Sequence, residues 1–171
     1  MAIKIQLQGL DKVLKRFNNA EADLVKRVDK ILLRFALGTV SDAKNFAPTD
    51  EGFLKNSIRF DTKPLEVEVV VKADYAPYIE FGTRKFAAVY VSSLPSDWQV
   101  FASEFRGKGG GSFEELVMRI TLWVKRKGID EKAAYPIALK ILREGILPHP
   151  FLFPAYEKNR KQLLDDFKKD I

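Results

Sequence analysis

The stretch from about Asp11 to Phe46 constrains the fold of this chain more than any other part of it. Apolar residues recur there at Leu10, Val13, Leu14, Phe17, Leu24, Val28, Ile31, Leu32, Phe35, Val40 and Ala43. Their spacings of mostly three and four place them on one stripe of a helix, with charged residues such as Lys15, Glu21, Arg27 and Lys30 between them. At ~1.5 Å per residue such a helix is on the order of 50 Å long, more than the width of most small domains. It has to wrap a sheet, pack on a partner or kink, and Gly38 is the expected kink. Pro48 ends it, because a proline ring pushes the preceding residue, Ala47, out of the helical region.

On either side of this helix the pattern changes to period two. Ile3, Ile5 and Leu7 alternate with Lys4, Gln6 and Gln8, as in a half-buried strand. Thr49 to Gly52 read as a turn and Phe53 to Ser57 as a short helical turn. Glu66 to Val71, rich in valine, predicts a strand, paired as an antiparallel hairpin with Ile58–Phe60. Residues 73 to 83 predict a partly buried turn or short helix at the sheet's edge. Arg84 to Ser112 hold Pro95, scattered aromatics and a glycine run. They are expected to form a long loop, with a short strand near Ala88–Val91 and a flexible tip. The aromatics Trp98, Phe101, Phe105 and Phe113 make this loop a candidate partner-binding surface, mobile in the free protein.

Ser112-Phe113-Glu114-Glu115 is a capping box, predicting a helix to about Lys127 that Gly128 terminates. A second helix follows. Asp130 is its apparent cap, but Pro136 argues for a start nearer Ala134, and Gly145 ends it. The two read as a helical hairpin inserted between strands. Residues 147 to 156, with three prolines, are expected to be extended. A last helix beginning near Pro154 should run to about Lys169 with Tyr156, Leu163, Leu164 and Phe167 facing inward.

Chemistry is sparsely represented. The chain has 171 residues, no cysteine and a single histidine, His149, which lies between two prolines. Thiol nucleophiles, thiolate metal sites and a Ser–His–Asp set are excluded or poorly supported. Asp50, Glu51, Asp74 and Glu80 are the carboxylates that a metal or acid–base site would draw on, although a turn and a structural ion pair account for them as simply. The glycine run lacks the spacing of a phosphate-binding loop. A net charge of +6 and a pI near 9.4 raise nucleic acid as a partner, but no reading motif accompanies the charge. No signal peptide or membrane-spanning run is expected.

Three islands carry a resemblance. They are Ala47-Pro48-Thr49-Asp50-Glu51-Gly52-Phe53-Leu54-Lys55-Asn56-Ser57-Ile58, Tyr75-Ala76-Pro77-Tyr78-Ile79-Glu80-Phe81-Gly82-Thr83, and Pro148-His149-Pro150-Phe151-Leu152-Phe153-Pro154-Ala155. In this order, after an amphipathic helix, the chain resembles the HK97-gp10-like family of phage neck and tail-completion proteins. Glu51 stands where that family usually has threonine, and the segment 84–145 replaces a short connection in many relatives.

The resemblance implies an α+β fold, with a long helix packed on a small antiparallel sheet. To this the chain adds a helical hairpin and a C-terminal helix, giving a single domain over 1–171 with an insertion at about 84–145. It implies scaffold roles for the islands. Gly52 and Gly82 would permit turns, Tyr75, Tyr78 and Phe81 would pack the sheet edge against the long helix, and Phe151, Leu152 and Phe153 would close the core. It also implies no enzyme activity and no cofactor. The expected function is a structural subunit of the head–tail junction, assembled in the bacterial host cytoplasm into the virion neck or tail. Its expected partners are further copies in a ring and the connector, tail terminator or tape-measure proteins. The alternative is a basic protein that contacts phage DNA.

Overall fold

The computed structural model describes residues 3–6, 22–107 and 111–170. The chain divides into two compact units, one drawn from Met1–Ala76 and His149–Ile171, the other being Pro77–Pro148.

The first unit holds strand β1 (Ile3–Gln6), helix α1 (Ala22–Phe46), the short helix α2 (Phe53–Ser57), strands β2 (Ile58–Lys63) and β3 (Glu66–Val71), and helix α8 (Leu152–Asp170). Residues 11–21, the first part of the predicted long helix, lie outside the described residues. From Ala22 the helix runs to Phe46 with no break at Gly38, where a kink was expected. Gly38 instead lets α8 approach, since a Cβ there would collide with the side chain of Asn159. That amide is in turn held by Asp42 Oδ2 and by the carbonyl of Ala155, both at 2.8 Å.

The sheet has the order β1-β3-β2, antiparallel throughout. Ile3 pairs with Val71 on one side of β3, and Ile58 pairs with Val71 on the other. The central place of β3 explains its valines, for Val67, Val69, Val70 and Val71 are all buried. On α1, Val28, Ile31, Leu32, Phe35 and Ala36 form the apolar stripe, and with Val67 and Leu163 they make the core. Each such large side chain removed from water contributes about 1.5–3 kcal/mol. Phe60, Leu65, Tyr156 and Phe167 pack at its margin. Leu164, expected to face inward, is half exposed: its neighbour Leu163 occupies the inward position on that turn.

The β2–β3 connection is two residues, Pro64 and Leu65. Leu65 sits at φ 60, a left-handed conformation usually left to glycine. Its amide donates to Asp29 Oδ1 at 2.8 Å. One hydrogen bond and a partly buried side chain thus offset the backbone strain and tie the hairpin tip to α1. Further along α1, Arg34 bridges to Asp166 at 3.1 Å and Asp42 to Lys158 at 2.8 Å, both on α8.

The second unit is helical. Helix α3 (Ala76–Phe81) leads into it, followed by α4 (Arg84–Ser92), α5 (Ser96–Ser103), α6 (Phe113–Arg126), a 3₁₀ turn (Glu131–Ala133) and α7 (Ala134–Glu144). The expected long loop over Arg84 to Ser112 is therefore mostly two helices, and the expected strand at Ala88–Val91 lies inside α4. Pro95, read as a loop residue, precedes α5 and gives its carbonyl to Gln99 N at 3.0 Å. The expected hairpin forms as α6 and α7. The Ser112 hydroxyl caps α6 by accepting from Glu115 N at 3.2 Å, Asp130 caps the 3₁₀ turn, and α7 begins at Ala134. No strand follows β3 among the described residues, so the hairpin is not flanked by strands.

Candidate docking site

The second island closes the second unit with a clasp. Gly82 ends α3 at φ 72, and a Cβ there would stand 2.7 Å from the Ile146 carbonyl and 2.9 Å from Pro148 N. Only glycine fits this combination of backbone and crowding. Next to it, Thr83 N donates to Ile146 O at 3.0 Å, and Ile146 N donates to Thr83 Oγ1 at 2.7 Å. Gly145, at φ 96, gives equally close passage to Thr83 from the other side. The Gly82-Thr83 pair therefore holds together the two ends of segment 84–145. Fixed, adjacent ends are what allow a long segment to be accommodated at little cost to its surroundings.

Phe81 stands beside this clasp with three rings around it. Trp98, Phe101 and Phe105 lie 6.4, 6.1 and 6.2 Å from it, centroid to centroid. These are ordinary distances for favourable ring pairs. Trp98 is buried, so it anchors α5 rather than waiting on a loop for a partner. Phe113 belongs to a different cluster, 5.6 Å from Tyr135 of α7. The four aromatics grouped by the sequence are thus divided between two sites. Tyr75, given a sheet-edge role by the resemblance, keeps 43% of its surface exposed, and the ring neighbours of Phe81 come from its own unit.

A cleft of about 570 Å³ opens between α3, α4 and α5. Tyr78, Phe81, Ala87, Ala88, Val91 and Phe105 supply apolar lining, and among the described residues Arg84 and Arg106 are its charged members. Both arginines are exposed. Arg84 is one of two non-glycine residues at positive φ among the described residues, at 53°.

The carboxylates named by the sequence do not gather into a reaction centre. Glu80 is fully buried in the second unit. Burial and, after it, the Glu80 charge push the Tyr90 phenol well above its ordinary range. Asp50, Glu51 and Asp74 are exposed in the first unit. There, burial foremost and then the charges of Asp50 and Glu51 raise the Tyr75 phenol. His149 is exposed. No group of three or more metal-ligating side chains occurs among the described residues.

The rest of the first and third islands builds the first unit. Pro48 follows α1, and Gly52 precedes α2 at φ 80. Leu54 and Ile58 are buried, and Ser57 Oγ donates to Leu54 O at 2.8 Å. Ala76, at the start of α3, is buried as well. Pro150 leads to Phe151, Leu152 and Ala155, all with no exposed surface, while Phe153 is partly buried and Pro154 lies in the first turn of α8.

Residues 11–82 match the HK97-gp10-like family. That family is described as "Bacteriophage HK97-gp10, putative tail-component". The HK97-gp10-like segment spans α1, the β2–β3 hairpin and α3, and stops at Gly82, where the clasp begins. No curated protein and no solved structure matches the chain. The family match points to a phage tail component, and so to the virion. No helix of the described residues is long and apolar enough to cross a membrane.

Sequence reasoning missed Ile146 and Pro148 as partners of Gly82-Thr83, and Tyr135 as the partner of Phe113. Gly145 was visible as a helix stop, and its second role beside Thr83 was not. It also passed over the two arginines, because it read their segment as loop.

Proposed function

We propose that this chain is a neck or tail-completion subunit of a tailed phage, acting at the head–tail junction by binding copies of itself and its neighbours, without catalysis. The family match over residues 11–82 carries this reading. Two features of the structure support it. The motif residues are used in turns, packing and the clasp, and the carboxylates and the histidine do not converge as a catalytic set would. In the sheet, β1 and β2 are outer strands whose far edges carry no further strand among the described residues, and such edges can be extended by another chain.

Around a junction with rotational symmetry, one surface of the subunit meets a different surface of its neighbour, which closes a ring. The connector, the tail terminator and the end of the tape-measure protein are the partners such a ring would meet. Assembly takes place in the bacterial cytoplasm, and the finished subunit lies in the neck or tail.

Quantitative mass spectrometry of purified particles and assembly intermediates tests this. The chain should be present in tail-bearing fractions at a fixed ratio to the major tail protein. A chain found only free, outside all particles and intermediates, would overturn the proposal.

A further inference from the structure

We propose that the cleft between α3, α4 and α5 is a docking groove for an acidic segment of a partner protein that carries an aromatic or large aliphatic anchor. The inference rests on the reading of the chain as an assembly subunit and names the chemistry of one of its contacts. The cleft holds about 570 Å³, room for a few side chains rather than a whole domain. Its apolar floor is shaped by Phe81 stacked on Phe105, with an interplanar angle of 24°. Buried aromatic floors of this kind accept anchor side chains.

Charge decides the rest of the occupant. Among the described residues, Arg84 and Arg106 are the only charged members of the lining, and no acidic side chain belongs to it. Planar guanidinium groups pair with carboxylates in two-pronged fashion, whereas a basic segment would be repelled.

Four polar side chains of the lining already serve the fold. Thr83 Oγ1 accepts from Ile146 N, and Gln99 Nε2 donates to Leu94 O at 2.7 Å. The Ser92 and Ser103 hydroxyls donate to Val89 O and Val100 O at 2.8 and 2.6 Å. A small polar ligand would find few uncommitted donors and acceptors to fix its orientation. Recognition therefore falls to the apolar floor and the arginines, which read an anchor and its flanking carboxylates.

The test uses the full-length purified chain and a random dodecapeptide display library as probe. Selected peptides should combine Asp or Glu with Phe, Trp, Tyr or Leu. Ala88→Trp, at an exposed position that faces the cleft, should reduce their binding at least tenfold while leaving the circular dichroism spectrum unchanged. The double variant Arg84→Glu/Arg106→Glu should turn the selected charge from acidic to basic. Selection of peptides without charge preference, or of peptides that Ala88→Trp still binds, would overturn the proposal. So would duplex DNA binding at low salt that Ala88→Trp and the charge reversal both abolish, since the groove would then serve nucleic acid. Failure here leaves the particle composition predicted above unaltered, so the two claims fail separately.

Discussion

Gly82 and Gly107 share a left-handed φ of 72 but not their surroundings. A Cβ at Gly82 meets backbone atoms at 2.7 and 2.9 Å, and a Cβ at Gly107 meets nothing within 4 Å among the described residues. Alanine at either site incurs the same left-handed strain, about 1–2 kcal/mol. The difference between the two variants therefore isolates the clasp. At Gly82 the obstacle is the Ile146 carbonyl and the Pro148 backbone, which cannot swing aside as a side chain would. The Thr83–Ile146 pairing must open, losing two hydrogen bonds worth about 0.5–1.5 kcal/mol each.

Gly82→Ala should thus cost about 2 kcal/mol more than Gly107→Ala, roughly 30-fold in the local opening equilibrium. Amide hydrogen exchange reads this directly: Thr83 and Ile146 should lose protection by that factor in Gly82→Ala and keep it in Gly107→Ala. Equal protection in the two variants would refute the clasp and, with it, the explanation of the Gly-Thr motif.

Two further outcomes test the first unit. Hydrogen bonding from Lys158 foremost, and from Asn159, holds the Asp42 carboxyl below its ordinary value against the opposing effect of burial. A carboxyl lowered in the folded state contributes stability above its unfolded value, and this is lost as pH falls through the folded value. Asp42→Asn should therefore cost on the order of 1 kcal/mol in urea unfolding at pH 7, and the cost should shrink as pH falls through the folded value; a cost that does not change with acidification would contradict the assignment. Thr39 lies fully buried in α1 with no hydrogen-bond partner for Oγ1 among the described residues. Thr39→Val should raise stability by about 1 kcal/mol in the same assay, and a loss instead would mean that the hydroxyl is engaged.

How far the sequence reached depends on whether a signal was local. The α1 stripe, the β2–β3 hairpin, the Ser112 cap and the Ala134 start all follow from residues within a few positions of each other, and the structure has them. Segment 84–103 was misread because its local preferences conflict. Val89, Val91 and the aromatics favour strands, and Pro95 breaks regular structure, yet burial of Trp98 and Leu94 fixes both helices. Gly38 looked like a kink because the approach of α8 cannot be seen from α1 alone. The site suffered most from this limit. Gly82-Thr83 was recognised as a motif, while its partners lie more than sixty positions away, Ile146 N meeting Thr83 Oγ1 across a separation of 63. The arginine-flanked cleft depends on the same long-range closure.

Disruption of the gene, followed by electron microscopy of the infected-cell lysate, decides whether the chain joins heads to tails. Complete heads and complete tails should remain apart, with joining restored when the intact chain is supplied from a plasmid. Normal numbers of joined, infectious particles without the chain would rule out a role in joining.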